Sequence, residues 1–84
     1  MIVYSLKTCP YCTELKEGLD KEGIKYEDRD VENPKYNAEF ELIVKLSGED
    51  SIPVMVIGKE VFVPDVSFNS IEEAINLAKK FNQS

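Results

Sequence analysis

The sequence predicts an α/β fold in which a four-stranded mixed sheet is flanked by about three helices, in the order β-α-β-α-β-β-α. Apolar residues recur along the whole chain with strand and helix periods in turn, and prolines and glycines separate these stretches. A length of 84 residues suits one small domain and is too short for two. We therefore expect residues 1–84 to form a single domain.

The first half of the chain predicts a β-α-β unit. Residues 1–6 are rich in β-branched and aromatic side chains and indicate a buried strand. Thr8 or Cys9 can then cap a helix that stops at Gly23. Residues 25–31 alternate as a second strand, and the crossover that links the two strands is expected to be right-handed.

The second half predicts a helix followed by a hairpin. Asn33-Pro34 opens the helix, whose apolar positions keep helical spacing until it ends near Gly48. Residues 52–57 and 61–63 indicate two strands, and Gly58 between them supplies the turn. The last two strands are therefore expected to be antiparallel.

A final helix completes the order. Ser70 and Glu73 have the spacing of a capping box at its start. The spacing of its apolar residues gives one continuous face, which predicts that the helix packs on the core. The residues of this face are Ile71, Ala74, Ile75, Ala78 and Phe81.

The composition excludes several classes of function. Sixteen acidic and ten basic residues give a net charge of -6, and the basic residues form no stripe of the kind that binds nucleic acid. No apolar run is long enough to span a bilayer, and the N-terminus lacks the pattern of a signal peptide, so we expect a cytoplasmic protein without membrane contact. Because the chain has no histidine and only two cysteines, no metal is expected.

The motif Cys9-Pro10-Tyr11-Cys12 stands between the first strand and the first helix and carries the chemistry. Two thiols three residues apart at a helix start can reach each other, and only a thiolate attacks a disulfide. The positive end of the helix dipole and the nearby Lys7 favour the thiolate of Cys9, which we expect to be the nucleophile. Cys12, one helical turn later, is expected to be shielded and to act as the resolving thiol.

A static structural disulfide is the alternative for the same pair of cysteines. A bridge that closes so short a loop removes little conformational entropy from the unfolded chain, so it would stabilise the fold only weakly. The position between a strand and a helix also suits exchange chemistry. A redox role is therefore favoured.

The chain resembles the dithiol glutaredoxins. The segment from Lys7 to Cys12 reproduces the active-site string of that family, and Ser51-Ile52-Pro53 stands where the family has Thr-Val-Pro. The resemblance implies a thioredoxin-like fold, a cis peptide between Ile52 and Pro53 that faces the dithiol, and glutathione as the reductant. By position, the glutathione contacts that it implies are Lys7, Cys9, Tyr11, Ile52 and Pro53.

The chain departs from the family pattern before its last helix. Glutaredoxins that bind glutathione well carry Gly-Gly and an acidic residue there, and backbone amides hold the γ-glutamyl carboxylate. Residues 61–67 contain no Gly-Gly, Pro64 removes a donor, and bulky Phe62-Val63 is expected to obstruct the ligand. Asp65, Ser67 or the first amides of the last helix remain as contacts for that part of glutathione.

The leading hypothesis is a glutathione-dependent thiol-disulfide oxidoreductase, active as a monomer, that reduces protein disulfides or glutathione mixed disulfides. One alternative is a glutaredoxin-like electron donor to ribonucleotide reductase that is recharged by thioredoxin reductase, because that class also lacks the usual glutathione clasp. Two others are a dimer that holds an iron-sulfur cluster through Cys9 and glutathione, and a redox-silent adaptor whose acidic surface binds a basic partner.

Overall fold

The computed structural model describes residues 1–48 and 50–81 and confirms the predicted order of elements. The domain predicted for residues 1–84 also includes Glu49 and residues 82–84, which lie outside the described residues. The strands are β1 (Ile2–Ser5), β2 (Glu27–Asp30), β3 (Val54–Ile57) and β4 (Glu60–Phe62). The helices are α1 (Pro10–Lys21), α2 (Pro34–Ser47) and α3 (Ile71–Phe81).

The four strands form one mixed sheet in the order β2-β1-β3-β4. Strand β1 runs parallel to β2 and antiparallel to β3, and β3 pairs antiparallel with β4. The parallel pair is joined by the α1 crossover, whereas β3 and β4 form a tight hairpin, as predicted. The carboxyl end of the inner strand β1 therefore leads directly into the segment that carries the two cysteines.

The strands are shorter or shifted relative to the sequence prediction. Strand β3 begins at Val54 rather than at residue 52, because Pro53 has no N–H to donate to the ladder. Strand β4 begins one residue earlier than predicted because Glu60 pairs with Ile57, which leaves a two-residue turn that starts at Gly58 (φ 60°). Strands β1 and β2 lose one or two residues at each end.

Two apolar clusters lie on the two faces of the sheet, because successive strand residues point to opposite sides. Val3 and Met55 belong to the cluster that α1 and α3 cover, whereas Tyr4 and Val54 belong to the cluster that α2 covers. The sheet is therefore the middle of three layers. The buried members of the first cluster are Val3, Leu15, Leu19, Met55, Ile57, Phe62, Phe68, Ala74 and Ala78.

Helix α2 depends on polar contacts, since none of its described residues is fully buried. Phe40 is half-buried against the sheet, beside Tyr4. The Arg29 guanidinium on β2 donates to Glu39 Oε1 at 2.8 Å and lies 5.3 Å from the ring of Tyr36. The Tyr4 hydroxyl donates to the same Glu39 oxygen at 3.0 Å, so these contacts join α2 to two strands.

Helix α3 is fixed at its start and in its middle. The Ser70 hydroxyl accepts a hydrogen bond from the Glu73 N–H at 3.1 Å. The Glu73 carboxylate accepts from the Asn69 N–H at 3.3 Å, and not from Ser70 itself, so the predicted capping box forms in part. Further along, α3 packs closely on α1 at Gly18, where a Cβ atom would overlap Ile75 Cδ1.

Candidate active site

The first turn of α1 holds Cys9 at the end of the helix. Cys9 is the N-cap, and its sulfur accepts a hydrogen bond from the Cys12 N–H at 3.4 Å. The Cys9 N–H donates to the Leu6 carbonyl, and the Cys9 carbonyl accepts from the Thr13 N–H, both at 3.2 Å. Pro10 is the first helical residue, where a missing N–H costs no helical hydrogen bond. The Cys9 sulfur therefore lies where the unpaired N–H groups of α1 point.

The two thiols differ in exposure. Cys12 is fully buried, Cys9 is partly exposed, and both are free cysteines. Burial, reinforced by the hydrogen bond with Cys9, raises the pKa of the Cys12 thiol to about 12. The backbone hydrogen bond from Leu6 and the charge of Lys16 lower the same pKa by smaller amounts. Cys12 is therefore a protonated thiol at neutral pH, next to an accessible Cys9.

A polar cluster lies one helical turn beyond Cys12, and the sequence reasoning missed it. Ser5, at the end of β1, is 2% exposed and donates to Asp28 Oδ1 at 2.6 Å. Lys16 Nζ lies 3.2 Å from Asp28 Oδ2 and 3.5 Å from Ser5 Oγ. Lys16 follows Cys12 by four residues, a spacing that places both on one face of α1. That spacing is the signal in the sequence that points to Lys16.

A groove beside the motif collects four of the residues predicted to bind glutathione. Tyr11, Ile52, Pro53 and Asp65 line it, and its volume is about 520 Å³. The Ile52–Pro53 peptide is cis, as the resemblance implies. The other lining residues are Glu14, Ser51, Pro64, Phe68, Asn69, Ser70 and Ile71.

The remaining predicted contacts, Lys7 and Cys9, lie on the segment between β1 and α1. Lys7 is exposed, and neither residue is among the described residues that line the groove. Cys9 precedes the groove residue Tyr11 by two positions.

The loop between β4 and α3, residues 63–70, contributes to the groove. We call it the self-closed loop because hydrogen bonds within it close it. The Val63 N–H donates to Ser67 Oγ at 3.0 Å, and the Ser67 N–H donates to the Val63 carbonyl at 2.9 Å. The Asp65 N–H donates to the Phe68 carbonyl at 2.8 Å, with Asp65 in the left-handed region (φ 66°). These backbone N–H groups therefore donate to acceptors within the loop. Ser67, one of the predicted glutathione contacts, helps to close the loop.

Phe62 and Val63 do not obstruct the groove, so this expectation from the sequence was wrong. Phe62 packs in the cluster under α1 and α3, with its ring 5.1 Å from that of Phe81, and Val63 packs in the cluster under α2. Both side chains are buried and neither lines the groove. The departure from Gly-Gly therefore places no bulky side chain in the groove.

Within residues 1–48 and 50–81, no group of three or more His, Cys, Asp or Glu side chains is arranged to hold a metal ion. No helix in the described part of the chain is long and apolar enough to cross a membrane.

Solved structures that resemble this fold include several glutaredoxins and a glutaredoxin-like protein. The glutaredoxin of Archaeoglobus fulgidus has a TM-score of 0.70 at 24% identity, over 99% of this chain and 85% of that one. A buckwheat glutaredoxin-glutathione complex has 0.70 at 18% identity, over 94% and 67%. NrdH-redoxin from Escherichia coli has 0.60 at 22% identity, over 90% of each chain. The fold is thioredoxin-like, and its first helix begins at a C-x-x-C pair.

Sequence comparison specifies the family. The glutaredoxin family model matches residues 1–62. Glutaredoxin 1 of Rickettsia prowazekii is 29% identical over 80 residues, which cover 95% of this chain and 78% of that protein. Glutaredoxin 1 of Rickettsia typhi is 29% identical over 77 residues, which cover 92% and 68%. The chain belongs to the glutaredoxin family, and the family match ends immediately before the self-closed loop.

Proposed function

We propose that this protein is a glutathione-dependent thiol-disulfide oxidoreductase that reduces protein disulfides or glutathione mixed disulfides. The observation that carries the proposal is the unequal pair at the start of α1, with Cys9 accessible and Cys12 fully buried. An accessible thiol can attack a bulky substrate, whereas a buried thiol can react only with a sulfur that its neighbour brings to it. This division of roles suits a two-step exchange.

The proposed reaction conserves atoms and electrons. The Cys9 thiolate attacks the substrate disulfide, a bond forms between Cys9 and one substrate sulfur, and the other substrate sulfur leaves as a thiolate. Cys12 then attacks Cys9, which releases the second substrate thiol and leaves a disulfide between Cys9 and Cys12. Two glutathione molecules reduce this disulfide back to two thiols and become glutathione disulfide.

The groove beside the motif supports glutathione as the reductant. A tripeptide joined to Cys9 would run along it, against the exposed ring of Tyr11 and the backbone of Ile52, as the family resemblance implies. The Asp65 carboxylate suits the α-ammonium group of the γ-glutamyl residue, and the first amides of α3 suit a carboxylate, because helix starts favour anions. Exposed Lys7 suits the other glutathione carboxylate.

A second candidate is a glutaredoxin-like donor to ribonucleotide reductase that receives its electrons from thioredoxin reductase. The observation that favours it is the self-closed loop, in which Val63, Asp65 and Ser67 donate their N–H groups internally and Pro64 has none. Fewer backbone donors are then left for glutathione. The two candidates share the dithiol chemistry and differ in the source of electrons.

One assay separates these candidates. The purified protein is mixed with a small mixed disulfide as substrate. Reduced glutathione, glutathione reductase and NADPH are added, and the oxidation of NADPH is followed. We expect turnover for the wild type and none above background for Cys9→Ser. The assay is repeated with thioredoxin reductase and NADPH in place of the glutathione system. Turnover in that arm alone would establish the second candidate, and turnover in neither arm would contradict both.

We further propose that the protein acts as a monomer in the reducing cytoplasm. Both thiols and the groove belong to one chain, so one copy suffices for the reaction. A reducing compartment keeps the dithiol in its active state. Light scattering on the reduced protein should give the mass of a single chain, and a dimer would contradict this part of the proposal.

A further inference from the structure

Lys16 has a fixed position one helical turn after Cys12. Its Nζ lies 3.2 Å from Asp28 Oδ2 on β2 and 3.5 Å from Ser5 Oγ at the end of β1. Ser5 is almost completely buried and donates to the other Asp28 oxygen at 2.6 Å. The side chain of Lys16 is 22% exposed. A lysine head group held between two partners contrasts with the solvated lysines of most protein surfaces.

The same cluster adjoins the resolving thiol. The Leu6 backbone makes a hydrogen bond to the Cys12 side chain, and Leu6 directly follows Ser5, whose hydroxyl faces Lys16 Nζ. Cys12 and Lys16 also share one face of α1. The titratable groups that face Cys12 are Cys9 at the N-cap, Lys16 on α1 and, through Lys16, Asp28 on β2. Lys16 supplies the positive charge among them.

We propose that Lys16 is a positioning residue for the second step of exchange, in which its ammonium group, oriented by Ser5 and Asp28, stabilises the thiolate that Cys12 must become. The inference rests on the proposed dithiol exchange. It adds a residue that belongs neither to the C-x-x-C motif nor to the groove beside the motif.

The second step is where a positive charge near Cys12 is needed. As Cys12 attacks, a sulfur-sulfur bond forms between Cys12 and Cys9, and the bond between Cys9 and the substrate breaks. Cys12 loses a proton and the leaving substrate thiolate takes one up, so two electrons pass from the dithiol to the substrate with no net change in protons. A buried thiol with a pKa of about 12 is almost entirely protonated at neutral pH, so its thiolate is scarce. Lys16 acts by its charge and is not consumed.

The two steps can be followed separately with the chromogenic disulfide DTNB and an excess of reduced protein. The first release of thionitrobenzoate reports attack by Cys9 and depends on concentration. The second release reports resolution by Cys12 and is independent of concentration. The variants are Lys16→Gln, Lys16→Met, which keeps the aliphatic length without the charge, and Lys16→Arg. Lys21→Gln is the matched control at an exposed position of the same helix.

We expect Lys16→Gln and Lys16→Met to slow the second release by up to about threefold and to leave the first release unchanged. The thiolate fraction of Cys12 falls tenfold for each unit by which its pKa rises. A more basic thiolate is also a better nucleophile, so the logarithm of the rate falls only about half as much as the logarithm of the thiolate fraction. The pH profile of the second release should move to higher pH. Lys16→Arg should restore the rate and the profile, and Lys21→Gln should match the wild type.

An unchanged second release in the neutral variants would overturn the proposal. Equal slowing of both releases with an unshifted pH profile would also overturn it, because that is the result of a purely structural role. The DTNB assay contains no glutathione. If the wild type shows both releases in this assay but no glutathione-coupled turnover, the result would therefore count against glutathione as the electron source. It would leave the role of Lys16 in place.

Discussion

The backbone N–H of Cys12 donates to the sulfur of Cys9 across 3.4 Å, so the first turn of α1 uses one active-site residue to hold the other. The donor belongs to the main chain and survives the replacement of the Cys12 thiol. The thiol of Cys12 itself is fully buried, whereas Cys9 is partly exposed. The environment of Cys9 therefore includes a backbone donor from the helix start that does not depend on the second sulfur.

Cys12→Ser should keep the first step of exchange and lose the second. After incubation with glutathione disulfide, we expect this variant to carry one glutathione on Cys9, seen as a mass adduct of the intact protein. Cys9→Ser should form no adduct, because its remaining thiol is buried. An adduct on Cys9→Ser, or none on Cys12→Ser, would contradict the assignment of nucleophile and resolving thiol.

The free energy of unfolding of the reduced protein should fall at alkaline pH because of Cys12. Burial raises the pKa of this thiol from 9.0 to about 12, so between these values the unfolded chain has released a proton that the folded chain still holds. The contribution is complete below the unfolded pKa, decreases by about 1.4 kcal/mol per pH unit above it, and is lost near the folded pKa.

Urea unfolding of the reduced wild type and of Cys12→Ala, compared between about pH 8 and 11, checks this slope. Other groups that titrate in the same range, including Tyr4 and Tyr26 with raised pKa values, are present in both proteins and cancel in the difference. Parallel pH profiles for the two proteins would show that Cys12 titrates normally.

Asp65→Asn should weaken the use of glutathione without disturbing the loop. Asparagine tolerates the left-handed backbone that Asp65 adopts (φ 66°) and keeps its shape while it removes the charge. An exposed ion pair contributes about 0.2–1 kcal/mol, so the KM for glutathione should rise up to about fivefold with little change in kcat. The control is Asp50→Asn, at an exposed position outside the groove beside the motif. Equal KM values for the two variants would remove Asp65 from the binding site.

Gly18→Ala should be coupled to Ile75 on the facing helix. Alanine is about 1 kcal/mol better than glycine within a helix, but its Cβ would overlap Ile75 Cδ1. We therefore expect Gly18→Ala to stabilise the fold by about 1 kcal/mol in an Ile75→Ala background and by clearly less in the wild type. Chemical denaturation of the four proteins of this cycle measures the coupling, and additive effects would show that the two helices separate freely here.

The order of elements and the antiparallel hairpin of β3 and β4 were predictable because they follow from local patterns, whereas the pairing of β1 with β3 was not among the predictions. Alternating strands, helical periods and turn residues such as Gly58 act within a few positions of the chain. Strand ends were less predictable because they depend on which groups pair across the sheet. Pro53 cannot donate and delays β3, and the pairing of Glu60 with Ile57 shifts β4. Neither effect is visible in one strand considered alone.

In the candidate site, too, the features that follow from local sequence patterns were predictable and those that depend on distant residues were not. The two thiols are only three residues apart, so their unequal burial followed from helix geometry. The cluster of Ser5, Lys16 and Asp28 joins three elements across separations of 11 and 23 residues, which no local pattern encodes. The inward orientation of Phe62 likewise depends on the core that surrounds it, and for this reason the predicted obstruction was wrong.

The burial of Cys12 has a practical consequence for work with this protein. The folded, reduced chain has two cysteines but presents one reactive thiol to a bulky electrophile. A fluorophore, spin label or cross-linker supplied as a maleimide will therefore attach at Cys9, beside the groove, and no cysteine has to be removed first. For labelling, the wild type behaves as a single-cysteine protein, and incorporation of a second label reports its unfolding.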